Sequence, residues 1–172
     1  NGLNRGLDFY GLNLVLGGLD ALLAQDGQLV VLGSGEAGLE QAFRERAKAQ
    51  PESVAVHIGY GENLAHRLFA ASDVTLVPSR FEPCGLTQMY ALRYGAVPIV
   101  RATGGLKDTV RHFDPASGAG TGCVFKDANG TGLAWALGEA IAWYRQPDLW
   151  ARLQQNGMAE NFSWRRQAPH YE

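Results

Sequence analysis

Asp73-Val-Thr-Leu-Val-Pro-Ser-Arg-Phe-Glu-Pro-Cys-Gly-Leu-Thr-Gln88 and its continuation to Val110 decide the fold of this chain. Asp73 to Val77 is short, apolar and β-branched, and Pro78 has no N–H to give to a sheet ladder, so a buried strand ends there. Leu86 to Tyr94 places apolar residues at Leu86, Met89, Tyr90, Leu92 and Tyr94, a helical pattern, with Gly95 as the expected C-terminal cap. Ala96 to Val100 is a second apolar run, and Thr103-Gly104-Gly105 turns the chain into Leu106 to Arg111. Strand, loop, helix and strand in this order describe an α/β fold with a parallel sheet. Ligands of such sheets bind off the carboxyl ends of the strands.

The loop from Ser79 to Gln88 lies at such an end and carries the chemistry. Glu82 brings a carboxylate just ahead of Pro83, Cys84 and Gly85. Gly85 lets the backbone approach a ligand, and the amides that follow open a helix, whose free N–H groups and dipole suit an anion such as a phosphate. Thr87 adds a hydroxyl. The plainer reading is a solvated loop acid and a turn glycine, and a lone E-P-x-G does not separate the two.

Outward from this loop, Leu12 to Ala24 carries leucines at 12, 16, 19 and 23, a helix with a core-facing stripe despite Gly17 and Gly18. Gln28 to Leu32 reads as a buried strand that ends in Gly33-Ser34-Gly35, before a helix from Glu36 to Ala49. Ser53 to Ile58 reads as another strand, followed by Gly59-Tyr60-Gly61. Glu62 to Ala71 is a short helix, and its His66 reads as a hydrogen-bonded structural histidine, because no second His or Cys stands at metal-ligand spacing. Beyond Val110 a Gly/Ser/Ala loop, Asp114 to Gly122, leads to a last strand, Cys123 to Phe125. Thr131 to Arg145 presents Leu133, Leu137, Ala140, Ile141 and Tyr144 on one helical face. Pro147 breaks that helix, and Asp148 to Glu160 forms the next. Trp135, Trp143 and Trp150 read as packing residues.

The 172 residues make one domain, residues 1–172, long enough for a sizeable core. Hydrophobic content of 46% with 19% charged residues is that of a globular protein, and a net charge of -2 offers no basic field to nucleic acid or an anionic membrane. No apolar run has the length of a membrane span, and residues 1–25 lack the charged-then-apolar pattern of a signal peptide. Cys84 and Cys123 read as reduced thiols, which places the protein in the cytoplasm. No D-x-D occurs in the sequence. Neither a metal nor another cofactor is therefore expected, and diphosphate charge would fall to cationic side chains and helix amides.

The run from Arg80 to Val110, R-F-E-P-C-G-L-T-Q-M-Y-A-L-R-Y-G-A-V-P-I-V-R-A-T-G-G-L-K-D-T-V, resembles the nucleotide-sugar-binding core of bacterial glycogen synthases and plant starch synthases. Leu29 to Gly35, His57-Ile-Gly-Tyr60, Ala65-His-Arg-Leu68 and Asn156 to Trp164 match the same family in the same order. The resemblance implies a Rossmann-like parallel sheet with helices on both faces, the C-terminal half of a two-domain GT-B glycosyltransferase whose N-terminal, acceptor-side domain is absent from this chain. It implies transfer of glucose from ADP-glucose to the non-reducing end of an α-1,4-glucan with retention, the glucan reaching the site through the missing domain. Glu82 would then bind hydroxyls of the donor glucose, as the catalytic residue. The backbone at Cys84, Gly85 and Leu86 would meet the sugar and distal phosphate, with Thr87 supporting the phosphate. Tyr60 would pack beside the adenine, where the alternative is an ordinary surface aromatic. Gly33 would have a minor backbone role near the nucleotide.

One departure from the family pattern matters, and one from the wider two-domain class points toward the family. A loop of pattern R-L-x-x-Q-K-G, whose arginine and lysine bind phosphates in the family, should precede the first helix. Here Phe9 and Tyr10 stand before Gly11, so an aromatic takes the lysine's place, and Arg5 lies near the arginine's. Many two-domain relatives also carry a second glutamate eight residues after the first; here it is Tyr90, as in glycogen synthases. Besides the transferase domain, a non-catalytic nucleotide-binding fragment and a related transferase with another sugar nucleotide stay open. The last segment, Phe162 to Glu172, is expected to begin a helix that crosses to the other domain.

Overall fold

Among the described residues strand and helix alternate up to a closing pair of helices. The computed structural model describes residues 11–83 and 85–163. In order these form α1 (Leu12–Leu23), β1 (Leu29–Gly33), α2 (Ala37–Ala49), β2 (Val54–Ile58), α3 (Glu62–Ala71), β3 (Val74–Val77), α4 (Thr87–Tyr94), β4 (Val97–Arg101), α5 (Gly104–Thr109), β5 (Cys123–Phe125), α6 (Gly130–Tyr144) and α7 (Pro147–Met158). Every expected strand and helix of this stretch is present. The phosphate-binding loop expected ahead of α1, with Arg5, Phe9 and Tyr10, and most of the helix expected from Phe162 onward lie outside the described residues.

The five strands pair in parallel, and the antiparallel bridge between Asp114 and Ala119 lies outside them. β1 pairs with β2 from Leu29↔Val54 to Gly33↔Ile58. β4 lies between β3 and β5, with Val77↔Val100 and Ile99↔Cys123 among its partners. The sheet expected as one piece thus consists, among the described residues, of a two-stranded and a three-stranded parallel sheet. β4 shows why the sequence reads as an unbroken apolar run, because Val97 to Val100 are all buried. A strand in a parallel sheet covered on both faces has no solvent side to mark with polar residues. Val97 and Ile99 enter a large core with α1 and α6, while Val100 enters a smaller one with Leu92 of α4 and Leu106 of α5. Helices therefore lie on both faces of the three-stranded sheet.

Helix α1 departs from the leucine stripe read in the sequence. Leu14, Val15, Gly18 and Leu19 are its buried residues, and Leu12, Leu16 and Leu23 only pack at the margin of the core. The glycines explain the rotation. A Cβ on Gly17 would lie 3.6 Å from Gly130 Cα, and one on Gly18 would lie 3.2 Å from a Leu133 methyl. α1 thus meets α6 backbone to backbone at Gly17 and Gly130 and takes Leu133 and Leu137 against Gly18, so the two glycines belong to the interface instead of weakening the stripe. In α6 the buried set is Leu133, Ala136, Leu137, Ala140 and Trp143. Tyr144, expected on the core face, is exposed and meets Trp150 edge-on. Trp143 and Trp150 are core residues as expected, whereas Trp135 is about half exposed and stacks on His112.

Pro147 both stops α6 and starts α7, where its missing N–H costs nothing at the first helical position. Gly95 closes α4 in the left-handed conformation, φ 77°, with its N–H bonded back to Leu92 O. Ion pairs tie elements at the surface, Arg46 to Asp20 between α2 and α1 and Arg111 to Glu160. Cys123 is a free, buried thiol, and burial above all, with Glu139 second, pushes its pKa up to about 12. Among the described residues no helix is long and apolar enough to cross a membrane.

Leu133 is fully buried against Gly18. Leu133→Ala is expected to lower unfolding stability by about 2–5 kcal/mol, read from urea denaturation. Gly138, inside α6, has open space where a Cβ would stand. Gly138→Ala should therefore stabilise by about 0.5–1 kcal/mol in the same assay.

Candidate functional site

Ser79 to Thr87 leave the carboxyl end of β3 and enter the N-terminus of α4, and the loop they form is held at three places. At its start, Arg101 of β4 reaches across: Nε donates to Ser79 O at 2.8 Å, and Nη2 donates to Arg80 O. Partial burial, and secondarily the nearby Arg80 cation, lower the Arg101 pKa, yet a guanidinium stays charged at any working pH. In the middle, Gly105 N donates to Glu82 O at 3.1 Å. Gly104, with φ 43°, brings the backbone of α5 so close that any Cβ there would overlap Glu82 O. At its end, Gln88 is fully buried and donates from Nε2 to Gly85 O at 2.8 Å and to Thr109 Oγ1 at 3.0 Å. Thr109 Oγ1 in turn donates a hydrogen bond to Gly105 O at 2.7 Å.

Within this frame Glu82 is half-buried, and its Oε1 accepts the Gly85 N–H at 3.0 Å. That bond turns the carboxylate back over the loop. It also engages an amide that the sequence reading assigned to a ligand. Gly85 is buried with φ 68°, a conformation that glycine adopts without strain. Leu86 is the N-cap of α4 with no side-chain cap, no acid occupies the first helical turn, and Thr87 opens the helix with its side chain exposed. The N-terminus of α4 therefore presents amides and a positive dipole end to solvent. Phe81 and Leu86, more than half exposed, flank Glu82 with apolar surface.

Gly33 and Tyr60 belong to the other sheet. Gly33 ends β1 and accepts the Gly59 N–H at 2.9 Å, so the turns after β1 and β2 meet. Tyr60, one residue on, is 89% exposed, a ring free to cover a planar ligand. Cys84 lies outside the described residues. His66 hydrogen-bonds Tyr94 through Nδ1 at 3.0 Å and meets Tyr90 edge-on, the structural role expected of it. Among the described residues no three His, Cys, Asp or Glu side chains stand together as a metal site.

The residues that brace the loop, Gln88, Arg101, Gly104 and Thr109, were not legible as such. Gln88 is polar in a helix whose apolar pattern pointed elsewhere. Of the apolar positions read for α4, Leu86, Tyr90 and Tyr94 are exposed, whereas Gln88, Ala91 and Leu92 are buried. Thr103-Gly104-Gly105 after a strand was the available signal of a close backbone approach.

The model of the glycosyl transferases group 1 family matches residues 5–158. The chain belongs to that family. Group 1 members similar to it include the glycogen synthase of Variovorax paradoxus, 57% identical over 94% of this chain and 33% of that protein. The glycogen synthase of Desulfitobacterium hafniense is 48% identical over 98% of this chain and 36% of that protein. The chain thus spans about a third of the length of these curated relatives. Among solved structures, the catalytic domain of starch synthase IV from Arabidopsis thaliana, bound to ADP and acarbose, superposes with a TM-score of 0.87 at 35% identity, over 97% of this chain and 35% of that one. The C-terminal domain of a group 1 transferase, LpcC, from Francisella tularensis shares the fold at 18% identity, with a TM-score of 0.69 over 88% of this chain and 77% of that domain. This group 1 domain is accordingly Rossmann-like, with the architecture of the C-terminal half of GT-B transferases.

Gly104→Ala should separate α5 from Glu82 and cost about 1–3 kcal/mol of stability, as overpacking does. The amide resonances of Glu82 and Gly85 should move with it, and unchanged resonances in a ¹⁵N spectrum would contradict the close approach.

Proposed function

We propose that the chain is the donor-binding domain of a retaining glucosyltransferase that moves glucose from ADP-glucose to the non-reducing end of an α-1,4-glucan, as in glycogen synthesis. The observation that carries this reading is its 57% identity with a glycogen synthase. The structural neighbour bound to ADP and acarbose supports the nucleotide and glucan classes.

The geometry supports a division of labour. Glu82 accepts hydrogen bonds from hydroxyls of the donor glucose, oriented by the Gly85 N–H that already holds its Oε1. The amides of Leu86 and Thr87, with the Cys84 backbone and the Thr87 hydroxyl, receive the sugar and distal phosphate at the α4 N-terminus, while the Gly85 N–H stays on Glu82. The main catalytic contribution is stabilisation of the departing diphosphate, where charge develops as the glycosidic bond breaks. Tyr60 covers the adenine and Gly33 lines its approach. The glucan acceptor is held by a second, N-terminal domain, so the 172-residue chain by itself turns over little or no donor. Cytoplasmic residence is proposed from the low cysteine content, two in 172 residues.

A second reading, nucleotide binding without transfer, draws on Tyr10, which occupies the place of the family's phosphate-binding lysine. Calorimetric titration separates the readings. ADP and ADP-glucose should bind in preference to UDP, and Glu82→Gln should weaken ADP-glucose about 10-fold or more while leaving ADP within about twofold, the cost of one charged hydrogen bond. Equal loss of both ligands would remove Glu82 from the sugar. Rapid release of ADP from ADP-glucose and a glucan primer by this chain alone would overturn the need for a second domain.

A further inference from the structure

The buried amide of Gln88 has a use beyond packing. Both groups facing Nε2 are acceptors: Gly85 O has only lone pairs, and the Thr109 hydroxyl already donates its hydrogen bond to Gly105 O. The two Nε2 hydrogens are thereby both engaged, which fixes the orientation of the amide. The Gly85–Leu86 peptide is trans, like every described peptide bond. In a planar trans peptide the C=O and N–H point in opposite directions. Drawing Gly85 O inward to Gln88 therefore turns Leu86 N–H outward, at the mouth of the α4 N-terminus. Glycine at 85 gives this peptide freedom to rotate, and a side chain there is excluded because its Cβ would lie 2.5 Å from the Gln88 amide oxygen.

We propose that Gln88 is a positioning residue that locks the Gly85–Leu86 peptide in one orientation and so aims Leu86 N–H at the distal phosphate of a nucleoside diphosphate. Through Thr109 the same amide ties that peptide to α5, which also holds Glu82 O through Gly105 N. Gln88 and the Gly104–Thr109 helix thus set the carboxylate and the phosphate-facing amide relative to one another. The phosphate assignment rests on the donor-site reading above; the lock itself does not.

Proton exchange and ¹⁵N spectra of the whole 172-residue chain test it. In the unsubstituted protein the Gln88 side-chain amide protons should exchange slowly. Leu86 N–H should exchange freely until ADP is added, and AMP, which lacks the distal phosphate, should leave it free. Gln88→Met keeps the volume and removes both donors; the Gly85 and Leu86 resonances should double or broaden, and the preference for ADP over AMP should fall about tenfold. Thr109→Val keeps the bond to Gly85 and should lower that preference only about two- to threefold. Free exchange of the Gln88 amide, a protected Leu86 N–H without ligand, or Gly85 and Leu86 resonances unchanged in Gln88→Met would each overturn the lock. Should Gln88→Met fail to fold, the exchange rates of the unsubstituted chain decide. If the resonances behave as expected and neither ADP nor AMP binds, the donor-site reading falls and the lock stands.

Discussion

Backbone contact between α5 and the loop after β3 is the constraint on which the candidate site depends. Gly105 N–H meets Glu82 O, and Gly104 has no side chain to keep them apart. A loop carrying a proline, a glycine and an acid would otherwise sample many conformations, and each fixed backbone residue costs about 1–2 kcal/mol of entropy. The opposing terms are local: two carbonyls taken by Arg101, one by Gln88 and one by Gly105. Every one of these bonds has a backbone partner within the loop. The Glu82 carboxylate is left half-buried, with one oxygen held by the Gly85 N–H.

The α4 N-terminus offers amides rather than cations, and its first turn carries no acid to compete. Arg101, the nearest candidate for a direct anion contact on β4, is committed to carbonyls. Its role is architectural, whereas Arg80 keeps its guanidinium at the surface near Asn13 of α1.

Much of the fold was legible because it is periodic. β5 agrees with the sequence reading residue for residue, α4 and β4 within one residue, and Gly95 and Pro147 end or begin helices for the expected reasons. Helix faces were read less well. In α1 the sequence favoured leucines over Gly17 and Gly18, although close helix contact rewards the absence of a side chain. In α4 it favoured aromatics over Gln88, whose buried Nε2 is matched by two acceptors that no local pattern announces. The site was half legible: Glu82, Gly85 and Thr87 lie together at one strand end, and Gly33 and Tyr60 share the neighbouring turns of the other sheet. The braces were not legible, because hydrogen bonds spanning 21 or 22 residues, from Gln88 to Thr109 and from Arg101 to Ser79, leave no local pattern.

Arg101 directly follows the β4 residue paired with Val77, the last of β3, and from there it grips the two carbonyls just beyond Pro78. The functional unit is therefore not a contiguous peptide. A graft of residues 79–94 into another parallel sheet would carry the acid, the glycine and the helix start, and would leave behind Arg101, Gly105 and Thr109. Transplanting this loop as a working module requires β4 and α5 to travel with it, so the smallest portable piece is a strand-helix-strand-helix segment ending near Val110.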